Sequence, residues 1–274
     1  MMRVLVTMLV FTLTALTNAF AHDHTSQATY LGNEGVMVAR GETKILFDAF
    51  YANSYGQYAL VPDEISDAML AGEAPYDGVD AIFVSHVHGD HFTAEPAIAY
   101  MRQQDEVHLY GSNQVIEAIA SAGVAEDAPL MTRIHGFDIA PDDQGEHFDV
   151  GALSVDVVAI PHAGNRPAIQ NFAWRVTLDD NTTVIHLGDA GTVRADFERH
   201  RDHFSAKKTH AAFPPYWFIG DDNGEAILED FIAANQATGI HVPARAAGNG
   251  DKWRADAGGD LFTDPGESRH IVEE

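Results

Sequence analysis

Four side chains able to hold a metal ion fall within six consecutive residues, His86-Val87-His88-Gly89-Asp90-His91. The apolar run Ala81-Ile82-Phe83-Val84 leads straight into them through Ser85. A short apolar run bounded by turn residues reads as a buried strand. A turn at its end can aim His86 and His88 at one ion while Asp90 and His91 reach a second. Imidazole and carboxylate donors suit zinc and other first-row divalent ions, and Gly89 is expected to give the tight turn its backbone freedom. The chain holds 15 histidines in 274 residues, so a lone pair would carry little weight. The complete string behind a buried strand carries much more.

The rest of the chain repeats the style, with short β runs broken by glycine and helices between them. Gly35–Ala39 and Lys44–Asp48 flank the turn-like Arg40-Gly41-Glu42 and predict a hairpin. Thr93 is placed to cap a helix through about Arg102, with Pro96 tolerated in its first turn. Strands are expected at Val107–Tyr110, Leu153–Val157, Phe172–Thr177 and Thr183–Leu187. Helices are expected from Ser112 to about Ala122 and over Asn223–Asn235. Ala140–Glu146 and the glycine-rich Ala246–Gly259 read as solvated loops. Candidate donors sit at or just past strand ends, where open α/β sheets present their sites.

The string His86-x-His88-x-Asp90-His91 resembles the signature of the metallo-β-lactamase superfamily. In that family a third histidine, a bridging aspartate and a last histidine follow in order, each at a strand end. The matching positions are His162 in Ile160-Pro161-His162-Ala163-Gly164-Asn165, Asp189 in His186-Leu187-Gly188-Asp189, and His241 in Gly239-Ile240-His241-Val242-Pro243. The resemblance spans roughly Tyr30 to Pro243. It implies a four-layer αββα sandwich and two divalent ions, zinc by default, with iron or manganese accepting the same donors. It assigns His86, His88 and His162 to the first ion, Asp90, His91 and His241 to the second, and Asp189 to both. It also implies a hydrolase in which a hydroxide held between the ions attacks a carbonyl or phosphorus centre, with Asp90 orienting it. The chain contains no cysteine, whereas some true β-lactamases of the family use one on the second metal, which argues against antibiotic hydrolysis.

Several positions keep two readings. His210 rivals His241 as the last donor, because Ala211–Pro215 also looks like a strand entering a loop. His186 is expected behind the ligands or in the core, and Asp48 either buttresses the site or is a solvated strand end. The aromatic stretch Phe213–Phe218 either walls a pocket or fills the core, and Arg245 either pairs with an anionic substrate group or, the favoured reading, meets a surface carboxylate.

Residues 1–21 read as a secretory signal peptide, with a positive start, an apolar run too short to span a bilayer and an Ala19-Phe20-Ala21 cleavage site. Residues 22–274 then form a single domain, periplasmic or secreted, with no stable membrane insertion. Cleavage there would expose His22-Asp23-His24, a terminus able to wrap copper or nickel or to remain a loose tail. The formal charge of −25, from 41 acids against 16 lysines and arginines, disfavours nucleic acid as a partner. The expected partner is a small-molecule substrate: an ester, a lactone or a phosphodiester. The competing class is a non-catalytic periplasmic metal-binding protein using the same donors, which would close its coordination sphere rather than leave a position open.

Overall fold

The computed structural model describes residues 25–125 and 128–273. Residues 1–21, read above as a signal peptide, and His22-Asp23-His24 lie outside them.

The first part of the chain forms strands β1 (Ser26–Gly32), β2 (Gly35–Arg40), β3 (Thr43–Phe47), β4 (Ala81–Phe83), β5 (His108–Ser112) and β6 (Ile134–Phe137). The second forms β7 (Glu146–Val150), β8 (Leu153–Ala159), β9 (Phe172–Leu178), β10 (Thr182–His186), β11 (Ala211–Phe213), β12 (Gln236–Gly239) and β13 (Asp260–Leu261). The last strand, β14 (Ser268–Ile271), returns to pair antiparallel with β1. Two seven-stranded sheets result, ordered β14-β1-β2-β3-β4-β5-β6 and β13-β12-β11-β10-β9-β8-β7.

Alternation along the strands explains the layering. Ile45 and Phe47 point between the sheets, as do Val155, Val157, Trp174 and Val184, and they form one shared core. Leu46, Ile82 and Leu109 point the other way, against Met69 of helix α1 (Asp63–Ala71), Ile98 and Met101 of α2 (Ala94–Gln103) and Ile119 of α3 (Asn113–Ser121). On the far side Val158, Ile185 and Ala212 meet α4 (Arg194–Glu198), α5 (Arg201–Ser205) and α6 (Asp222–Ile227) through Phe197, Phe204 and Ile227. The architecture is therefore helix, sheet, sheet, helix. Among the described residues no helix is long and apolar enough to cross a membrane.

Most of the expected elements form where the pattern placed them. Two readings change. The glycine-rich 246–259 segment contains α7 (Gly250–Ala257), closed by Gly258 in the left-handed region. Its hydrophobic signal is weak because only a narrow face packs, through Trp253 and Ala257. Thr93 stands at the N-cap of α2, but its hydroxyl accepts from the Ala52 amide and not from the helix.

β3 to β6 run parallel, as do β10 to β13. Their carboxyl ends therefore collect the loops after β4, β10 and β12 at one edge, where the loop after β8 joins them. That edge holds the donors.

Candidate metal centre

Each candidate donor leaves a strand end on a tethered loop. The loop after β4 is fixed by the Ser85 carbonyl, which accepts from Phe172 N at 2.9 Å. The loop after β8 pairs with that after β10, His162 bridging to Ala190 and Ala163 N donating to Asp189 O at 2.7 Å. Asn171 clamps both: its amide donates to Ile160 O and Leu187 O, and its side-chain oxygen accepts from Asp189 N at 2.9 Å.

All seven side chains come together: His86, His88, His162 and Asp189 form one group and Asp90, His91 and His241 a second, which the other oxygen of Asp189 also reaches. In the first, His88 Nδ1 lies 3.0 Å from His86 Nε2 and 3.1 Å from His162 Nε2, and His162 Nε2 lies 3.2 Å from Asp189 Oδ2. In the second, Asp189 Oδ1 lies 3.1 Å from His241 Nε2 and 3.4 Å from His91 Nε2, and Asp90 Oδ2 lies 3.5 Å from His241 Nε2. Donors about 2.0–2.1 Å from a tetrahedral ion stand about 3.4 Å from one another, and these separations match. His91 Nε2, His241 Nε2 and Asp189 Oδ1 are buried with no hydrogen-bond partner among the described residues. Orphaned buried polar atoms are costly, and three of them facing one point fit a cation there.

Neighbouring groups fix which nitrogen faces inward. His91 Nδ1 is 2.8 Å from Asp48 Oδ2, and Ser85 donates to the same carboxylate through Oγ at 2.5 Å and its amide at 2.7 Å. Asp48 is therefore the buried buttress of its two readings. His162 Nδ1–H donates to Ala163 O at 2.6 Å, leaving Nε2 as an acceptor. Such partners orient a ligand and raise its basicity. His210 does not join the cluster; its Nδ1 accepts from the Thr183 amide.

Backbone strain concentrates here. His241 sits at φ +61° and Asp48 at φ +39°, a region costing about 1–2 kcal/mol for a residue with a Cβ. The glycine whose left-handed backbone the site needs is Gly188 (φ +52°), not Gly89. A Cβ on Gly188 would stand 2.6 Å from Ser85 Cβ and overlap the Asn171 side chain. Gly89 instead allows close approach, with the Asn53 side chain 3.3 Å from where its Cβ would be.

The two groups differ in charge. Burial, then the neighbouring histidines, hold His86 well below the usual imidazole range, and His88 is lowered mainly by burial. Burial also works against protonation of His91 and His241, but Asp189 and the other carboxylates outweigh it. His91 is held well above its ordinary value and His241 is pushed up to about 10. Asp189, despite burial, is held well below the carboxylate range by His241 and His91.

Above the donors opens a cleft of about 350 Å³, lined by Tyr55, Gln57, Tyr58 and Arg166 with His88, Asp90, His162, Asp189 and His241. Tyr58 packs edge-on against His241, and burial, then the carboxylates below, push its hydroxyl up to about 12. The aromatic stretch divides its roles. Phe213 and Phe218 are core, while Trp217 packs on His241 and donates to Ala190 O. Arg245 meets the face of Trp253 and no carboxylate.

Sequence reasoning passed over Glu34, in the turn between β1 and β2, which is fully buried against His91 and His186. Its one local signal is a charge inside the apolar hairpin Leu31-Gly32-Asn33-Glu34-Gly35-Val36. His186, beside it, lies behind the donors as expected, its Nε2–H donating to Glu34 O.

Residues 43–235 match the family model described as the beta-lactamase superfamily domain. A ribonuclease Z of Methanosarcina acetivorans is 27% identical over 139 residues, 47% of this chain and 44% of that protein. The chain thus spans less than half the length of that relative. Igni18, a metallo hydrolase from Ignicoccus hospitalis, superposes with a TM-score of 0.59 over 91% of this chain and 100% of its own, at 16% identity. An isothiocyanate hydrolase from Delia radicum gut bacteria gives 0.55 over 90% of this chain and 100% of its own, at 15% identity. At such identities these two likenesses speak for the fold alone.

Proposed function

The chain belongs to the β-lactamase superfamily, whose members are metal-dependent hydrolases, and we propose that it is an exported binuclear hydrolase of small esters, lactones or phosphodiesters. The observation that carries the reading is the pair of donor groups sharing Asp189 on the floor of an open cleft. A site built for storage would close over its ions, whereas a catalytic one leaves a position for water. The fold does not select the substrate, since similar proteins carry names as different as a ribonuclease Z and an isothiocyanate hydrolase.

His86, His88 and His162 would hold one ion, Asp90, His91 and His241 the other, with Asp189 between them. Zinc is the default, and iron or manganese also suit these donors. Bound there, two divalent ions supply Lewis acidity and bring a water within reach of ionisation at neutral pH.

The chain's own residues do the rest. Asp90, held below the carboxylate range by His241 and His91 against its burial, stays an acceptor at the cleft floor and orients the attacking water. Tyr58 keeps its proton at neutral pH and offers a donor to the oxygen that gains charge. Arg166 lines the cleft with no acid among its partners in the described residues, while Arg40, Arg175, Arg254 and Arg269 are all held by acids. A free guanidinium in so acidic a protein favours a substrate with an anionic group near the scissile bond. The acidic surface as a whole disfavours a long polyanion such as RNA.

The test is elemental analysis of the purified protein with hydrolysis of a lactone, a phosphodiester, an aryl ester and a cephalosporin on the same sample. Two metals per chain and turnover lost on chelation are expected, with the phosphodiester or a carboxylate-bearing ester turned over fastest. Two metals without turnover on any substrate would move the site to storage.

A further inference from the structure

We propose that Glu34 is an additional acidic ligand of the second donor group, making that half of the site selective for an oxygen-preferring ion such as manganese(II) or iron(II). The inference rests on the metal-dependent reading above and refines it.

Glu34 is 0% exposed, and neither of its carboxylate oxygens has a hydrogen-bond partner. Its Oε2 lies 3.5 Å from His186 Nε2 and 3.7 Å from His91 Nδ1, but both nitrogens are committed elsewhere. His186 Nε2–H donates to the Glu34 backbone carbonyl, and His186 Nδ1 accepts from Gly188 N, so that ring is neutral and full. His91 Nδ1 serves Asp48. Among the described residues no donor satisfies the carboxylate, burial holds it well above the usual carboxylate range against the pull of His91 and His241, and a buried carboxyl left without a hydrogen bond is costly.

A Glu34 oxygen does lie within 4.8 Å of donor atoms on both Asp189 and His241. The turn that carries it is sewn to the second donor group at two points. Asn33 O accepts from His241 N at 2.9 Å, and Asn33 Nδ2 donates to Asp90 O at 2.8 Å. The β1–β2 turn is thus held in register with two of the proposed ligands, and the residue it delivers there is an unpaired acid.

The two halves then differ in chemistry. The first offers three imidazoles and Asp189. The second offers two imidazoles with Asp90 and Asp189, and Glu34 joins it on the side of Asp189 and His241. Zinc favours four donors in a tetrahedron, and added carboxylate oxygens favour the harder ions that accept five or six.

The experiment strips the full-length protein with a chelator and reloads it with equimolar zinc(II) and manganese(II). Metal content is read by mass spectrometry for wild type, Glu34→Gln and Glu34→Asp. About one manganese per chain is expected in wild type, falling at least tenfold relative to zinc in Glu34→Gln and partly kept in Glu34→Asp. The same manganese-to-zinc ratio in wild type and Glu34→Gln overturns the proposal, as does a wild type that takes only zinc. Melting of the stripped proteins separates a structural role. Glu34→Gln is expected to melt no lower than wild type, because no hydrogen bond is lost; a lower melting point also overturns the assignment. Metal content reads out independently of turnover, so failure on the substrate panel with a persisting manganese preference would sink the hydrolase reading alone.

Discussion

The two halves of the donor cluster draw on one six-residue string yet live in different electrostatic surroundings. His86 and His88 are held below their ordinary range, so they present neutral nitrogens at pH 7, and His88 does so at the cleft. His91 and His241 stand among Asp48, Asp90, Asp189 and Glu34, and those carboxylates keep protons on them. One half is ready to take an ion and faces substrate. The other must exchange protons for its ion, although its Asp90 and His241 reach the same cleft. Spacing alone cannot make that difference, because it depends on which acids the fold stacks behind each imidazole.

Removing the shared group should collapse both halves. Asp189→Ala is expected to lower turnover at least about 1,000-fold and to leave at most one metal per chain by elemental analysis. Full activity with two metals would dismiss the arrangement. Asp48→Asn should act on one half only. The second ion is expected to bind about 10- to 100-fold more weakly, measured by chelator competition, while the first is little affected; equal losses would mean that the halves are not separable.

Acid should reveal the same asymmetry. A raised imidazole pKa means a bound proton that the ion must displace. Affinity for the second ion should therefore rise with pH, about tenfold per unit for each proton displaced, until His241 titrates at about 10. Affinity for the first should be flat above pH 7, since its lowered histidines are already neutral. Proton release into weak buffer during a two-step titration measures both, and identical release from each step would contradict the contrast. The smallest effect is expected at the cleft wall. Arg166→Ala should raise KM for an anionic substrate about fivefold, with kcat and the KM of a neutral ester unchanged.

Much of this was legible along the chain. His86, His88, Asp90 and His91 are neighbours in sequence, and the buried strand before them is a local pattern. Leu187-Gly188-Asp189 is equally local, and the strands between alternate cleanly enough to place it at a strand end. Other features were not. β6, β7, β13 and β14 were passed over because short edge strands carry little periodicity, β1, inside its sheet, because Ser26–Gly32 lacks a clean apolar alternation, and α7 because its composition reads as loop. Settling His241 over His210 needed the third dimension, since both border short strands and only the carboxyl end of β12 reaches the cluster. The donor string was credited with a flexible glycine at 89, whereas the left-handed position fell at Gly188, where neighbours from two other segments leave no room for a side chain.

By itself the sequence determined the alternation of strands and helices and the identity of the contiguous donors, because both rest on periods and spacings of a few residues, while the layering was only what the family resemblance implied. Only the tertiary structure decided that Asp48 braces His91, that Asn171 clamps the Asp189 loop, that Arg166 stands free at the cleft and that Glu34 arrives unpaired behind the second donor group. The physical reason is distance along the chain. Those contacts join segments tens to hundreds of residues apart, and nothing in the local pattern of a buried acid shows which distant histidine it will face.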